Sequence, residues 1–158
     1  MTTSQHLAKH LREFISGPNT TGSHLKEHLD DITLEEANQA VYGLNTIAKL
    51  VYHINYYIEA VSGVLDGEPL TAKDIYSYDA PILKTQEAWK LRLDTLYTNL
   101  DRCASQASRL TDQELKSNFV LEKYGTYERN LMGLLEHSHY HFGQIVVLKK
   151  IIRQQPVQ

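Results

Sequence analysis

The sequence predicts an all-α protein, an up-and-down-like four-helix bundle with one long crossover connection. Three observations point there. Four long segments repeat apolar residues every three or four positions, the spacing that gathers them on one face of a helix. Thr, Gly and Pro stand at the segment boundaries, where helix ends need capping or stopping. No stretch alternates convincingly as a strand would; Phe119-Val120-Leu121 is the one candidate and is too short to change the fold class.

The first helix is expected from about Ser4 to Ser16, with Leu7, Leu11, Phe14 and Ile15 on its apolar face and Gly17-Pro18 ending it. A short turn follows, with Leu25, Leu29 and Ile32 at helical spacing. Thr33 and Glu36 form a capping box that opens a short helix, which Gly43 interrupts. The second long helix is placed at Leu44 to Leu65. Leu44, Ile47, Val51, Ile54, Ile58, Val61 and Leu65 run down one side, while Leu50, His53 and Tyr57 lie on another. Apolar residues on more than one side imply burial by several neighbours.

Glu68 to Lys84 contains Pro69, Pro81 and a cluster of Tyr and Asp, and is the long connection. Loops of this length in a compact domain tend to be functional. Thr85 caps the third helix, whose stripe is expected to be Ala88, Leu91, Thr95 or Leu96, Asn99 or Leu100, and Cys103. Thr111 and Glu114 make another capping box before Gly125. Thr126 then caps the last helix, expected to fray at Gln154-Gln155-Pro156.

Length and composition narrow the function classes. A chain of 158 residues suits one domain, residues 1–158, with one core. Net charge is −3 with no long run of either sign, which argues against a nucleic-acid partner. No apolar run is long enough for a membrane span and no signal-peptide core is visible, so a cytoplasmic location is expected. Cys103 is the only cysteine, so neither an intrachain disulfide nor a Cys-rich metal site can form.

The eight histidines are the notable polar feature. They supply three pairs spaced four apart: His6 with His10, His24 with His28, and His137 with His141. Spacing alone therefore does not select a site. The first two pairs flank apolar stripes in polar company and read as solvated. His137 and His141 instead lie on the inward stripe Leu134, His137, His141, Ile145, Leu148, Ile152. Inward imidazoles need a partner, and one metal ion is the simplest. A third ligand must come from another element, and His53, deep in an apolar helix, is the best candidate; the alternative is a hydrogen-bonded core histidine. His139 lies about 200° round the helix from His137, at roughly 100° per residue, and cannot share the ion. The zinc-protease pattern is absent, because Ser138 stands where its general base would be. Tyr57, one turn after His53, can hydrogen-bond substrate or simply fill the core. Gln144, three residues after His141, can orient a ligand or pack as a helix amide.

HSHYHFGQIVVLKK, from His137 to Lys150, resembles the H-x-x-Y-H-x-G-Q-I ending of the DinB/YfiT-like superfamily of metal-dependent enzymes. GLNTIAKLVYHINYYIEAVSGVLDG, from Gly43 to Gly67, is similar to the helix that carries a lone His in that family, and LDDITLEEANQAV before it also fits. The resemblance implies a four-helix bundle holding a divalent metal through His53, His137 and His141, the trio that periodicity also favours. Asn45 stands where relatives often show a His. The ion implied is Zn or Ni first, with Fe, Co or Mn as alternatives. The implied function is thiol S-transfer or hydrolysis on a small-molecule substrate, with a small thiol as possible cofactor and a homodimer as the assembly. The competing reading is a non-catalytic, stress-related metal-binding protein of the same superfamily.

Overall fold

The computed structural model describes residues 1–154. Among them the chain is all-helical: seven α-helices and two short 3-10 turns, with no strand beyond an isolated bridge between Asn118 and Thr126. The strand candidate at Phe119–Leu121 therefore amounts to a turn beside that bridge. In order, the helices are α1 (Thr3–Ser16), α2 (Leu25–Leu29), α3 (Leu34–Asn38), α4 (Ile47–Leu65), α5 (Gln86–Ala107), α6 (Asp112–Lys116) and α7 (Tyr127–Gln154). Among the four long ones, α5 touches α1 and α4, and α7 touches α4 and α1. α4 and α5 run parallel, Arg92 reaching Ala48 O and Gln106 reaching Ser62 O, so the bundle is not strictly up-and-down and the long connection is a crossover between parallel helices. The remainder of the expected fraying segment, from residue 155 on, lies outside the described residues.

Local chemistry sets the boundaries. The side chains of Thr33, Thr46, Thr85 and Thr111 each accept a backbone N–H at a helix start. The second long helix starts at Ile47 rather than Leu44. Tyr42 and Gly43 both take positive φ, a turn in which Val41 accepts from the Leu44 amide, and Leu44 is left 56% exposed outside the helix. The stripe of α5 also differs from expectation. Leu96, Leu100 and Cys103 are buried as expected; the difference lies at the start, where Leu91 is 66% exposed and Trp89 and Leu93 face inward instead. Trp89 is anchored at this end: fully buried, its indole N–H donates to Ile32 O at 2.8 Å.

Three histidines outside the inward stripe, His24, His28 and His139, have structural tasks. His6 and His10 are exposed as expected. His24 and His28 are not simply solvated. The His24 ring accepts the Glu27 amide as the N-cap of α2, and His28 packs edge-on against Phe142 and pairs with Ser23 Oγ. His139 faces away from the other two histidines of its helix. It packs on Phe14 with ring centroids 4.4 Å apart, and its Nδ1–H donates to Leu135 O.

The end of α7 is tied to the α2–α3 turn by charge. Lys149 reaches Asp31 at 2.6 Å and the His28 carbonyl at 2.9 Å, and Arg153 bridges Asp31 and Glu36, each at 2.8 Å. The Lys149 hydrogen bond, joined by Arg153, holds the Asp31 carboxyl down at about 2. A depressed carboxyl pKa stabilises the fold above the ordinary range near pH 4 and loses that contribution as pH falls toward 2. The melting temperature of the wild type should therefore drop over that window, and Asp31→Asn should flatten this part of the profile in a thermal-shift series.

Candidate metal centre

The interior stripe of α7 and the polar side of α4 meet antiparallel, so that Leu50 lies opposite the Gln144–Leu148 turn and Tyr57 opposite His137. This pairing places His53 between His137 and His141. His53 and His141 are buried, 5% and 7% exposed, and His137 is half-buried. One ring nitrogen from each of the three lies within 4.8 Å of the others, and His53 Nε2 is 3.0 Å from His137 Nε2. All three residues singled out from the sequence are thus brought together; they could hold one metal ion.

The outer nitrogens show which way the inner ones point. His53 Nδ1 lies 3.2 Å from Ser77 O, and a carbonyl only accepts, so Nδ1 carries the proton and Nε2 presents a lone pair. His141 Nδ1 lies 2.8 Å from Gln144 Oε1, which by the same logic leaves its Nε2 unprotonated. His137 Nδ1 is buried without a partner. Without a cation, the close Nε2 contact has to be a hydrogen bond donated by His137. A tetrahedral Zn at 2.0–2.1 Å from nitrogen spaces its ligands roughly 3.3 Å apart, close to the 3.0 Å between the Nε2 atoms of His53 and His137. Neutral nitrogen donors, oriented by carbonyl oxygens on their far sides, are the donor set that such ions take.

Electrostatics favour the neutral form. Burial, with His141 and His53 alongside, pushes His137 down to about 4. Burial lowers His53 as well, against the opposing bond to Ser77.

The long connection supplies what the sequence left unassigned. Its 3-10 turn, Asp74–Tyr76, is pinned on α4 by Tyr56, whose hydroxyl accepts from Lys73 N and donates to Lys73 O. The following residues close over His53: Ser77 O takes its proton, and the Tyr78 ring stacks on it with centroids 3.8 Å apart and planes 8° apart. Tyr57 stands edge-on to both His53 and His137. Its hydroxyl is engaged, donating to Asp74 Oδ1 at 2.6 Å, and burial plus that bond push the phenol up to about 12. Ser77 and Tyr78 were missed because contact across a loop has no periodicity; the Tyr and Asp cluster in a long connection was the only signal.

The fold and the cluster together define an all-helical protein with a three-histidine site able to take a metal ion. A model of the DinB superfamily matches residues 19–145, and the chain belongs to that superfamily. No curated protein and no solved structure matches it.

The hydrogen bonds fix a testable tautomer state. Long-range proton–nitrogen NMR spectra of metal-free protein should show His53 and His141 with the proton on Nδ1. A signal for Nε2–H on either would contradict the geometry.

Proposed function

We propose that the chain is a metal-dependent enzyme of the thiol S-transferase or hydrolase class, built on a four-helix bundle with a long crossover connection between α4 and α5. His53, His137 and His141 are its metal ligands, and Zn or Ni is the preferred ion before Fe, Co or Mn. The observation that carries this reading is the convergence of three ring nitrogens within 4.8 Å, two of them aimed by carbonyl oxygens behind them. Such an ion, when bound, supplies a Lewis acid that lowers the pKa of water toward about 7 or stabilises a thiolate. Three protein ligands, rather than four, are the count found where a substrate atom or water also binds.

The remaining roles belong to the protein. Ser77 O and Gln144 Oε1 fix the tautomers of His53 and His141, so little reorganisation accompanies binding. Tyr78 covers one face of His53 and keeps water from it. Tyr57 walls the cluster on the His137 side, with its hydroxyl held by Asp74, and touches substrate only if that bond is exchanged. The Asp74 carboxylate adds negative charge beside His53 and His137, which favours a cation there. The family resemblance points to a small-molecule substrate, a small thiol among the candidate cofactors, and a homodimer; the balanced charge and the lack of a long apolar run favour a cytoplasmic protein without a nucleic-acid or membrane partner. No helix among the described residues is long and apolar enough to cross a membrane.

Elemental analysis of the purified protein should give about one divalent ion per chain, and His137→Ala should remove most of it while circular dichroism stays helical. Unchanged metal content in that variant would refute the site. Gln144→Leu should retain the ion but weaken it by roughly 10- to 100-fold, the usual effect of losing a hydrogen bond behind a ligating histidine. If metal-loaded protein turns over nothing in a panel of thiols with electrophilic acceptors and of esters and amides, the catalytic half fails and a metal-binding protein remains.

A further inference from the structure

Along the same groove, between the turn into α4 with its first residues and the second half of α7, lies a half-open cavity of about 410 Å³. That is the size of a small-molecule site. Leu44, Leu50, Val147 and Leu148 supply apolar wall, and none of the lining residues is charged. A Cβ built at Gly143 would meet nothing within 4 Å, so the backbone of α7 is open to the cavity at that point. Two side-chain amides, Asn45 and Gln144, are the polar lining beside the Tyr140 hydroxyl. Gln144 faces two ways. Its oxygen holds the His141 Nδ1–H, while its NH2 group has no hydrogen-bond partner among the described residues.

We propose that this cavity is the subsite for the apolar, uncharged part of the substrate, carrying a carbonyl or amide oxygen that accepts from Gln144. The proposal rests on the reading of the three histidines as a metal-dependent site and names the substrate class of that site. The lining offers no counter-charge: Leu44, Tyr140 and Val147 form an exposed rim and Leu50 and Leu148 a buried floor, against which an ion would lose part of its solvation. An acceptor on the ligand satisfies the Gln144 NH2, which would otherwise be desolvated unpaired when the cavity fills. Gln144 then links occupant and ligand set: the oxygen that orients His141 and the nitrogen that grips the substrate belong to one amide.

Saturation-transfer NMR on the full-length protein can test this with three probes of equal length: hexanamide, hexanoate and hexylammonium. Hexanamide is expected to bind, with each ion weaker by about tenfold or more. Gly143→Leu fills the open point and is a better helix former than glycine, so the fold should hold and the melting temperature should not fall. It should weaken hexanamide by about tenfold or more, since each methylene kept out is worth roughly a factor of four. His53→Ala, which removes a metal ligand and no cavity residue, should retain hexanamide binding, so failure of the metal reading and failure of the subsite give different results. Absence of hexanamide binding to wild type, equal binding to Gly143→Leu, or equal binding of the ions would overturn the proposal. A wild-type dimer that Gly143→Leu converts to a monomer would also overturn it, assigning the cavity to a second copy of the chain.

Discussion

Burying imidazoles without neutralising their polarity is the constraint on which this structure turns. Three of them are gathered where α4 crosses α7, in surroundings dry enough to push His137 far below its ordinary range. Each ring has two nitrogens to satisfy. The outer nitrogens of His53 and His141 are satisfied by the Ser77 carbonyl and the Gln144 amide, which leaves the inner ones facing each other. Inner lone pairs at such separations are mutually unfavourable unless a proton or a cation lies between them. The fold thus tolerates the cluster by giving it a defined place for positive charge.

The surrounding elements follow from that demand. The connection between α4 and α5 is long because it has to return across the histidine end of α4 before α5 begins. Its turn is held by Tyr56 and Tyr57, and its Ser77 and Tyr78 close over His53. Rigid helices carry the three histidines, while a loop pinned to one of them supplies the orienting carbonyl. Such an arrangement keeps the rings in place with little loss of entropy on binding an ion. The paired charges of Lys149, Arg153, Asp31 and Glu36 fasten the far end of α7 and leave the groove between α4 and α7 undisturbed.

Much of the fold was legible because helices announce themselves through local rules. Threonine caps, the Gly17 and Gly67 stops and apolar periodicity located the long helices to within a few residues. Departures occurred where tertiary contacts outweighed local pattern. Leu44 continues the apolar spacing of α4, yet the positive-φ turn at Tyr42 and Gly43 excludes it from the helix. Leu91 fits a stripe on α5, yet it faces out while Trp89, its indole bonded to the Ile32 carbonyl, and Leu93 fill the interior. His24 and His28 look like a solvated pair because their partners, a helix N-terminus and the Phe142 ring, are not encoded in their spacing.

By itself, the sequence determined the all-helical class and singled out the inward pair His137 and His141, because one helix carries both and its stripe fixes their direction. It nominated His53 from its place in an apolar helix and from the family resemblance. Only the tertiary structure decided that His53 meets that pair, since the meeting depends on the antiparallel register of α4 against α7, a relation between segments 84 residues apart in the His53–His137 contact. It also decided that Ser77 and Tyr78 complete the cluster, and that a cavity edged by Gly143 and Gln144 lies beside it. Those are consequences of how faces pack, and packing joins residues whose relation no local spacing records.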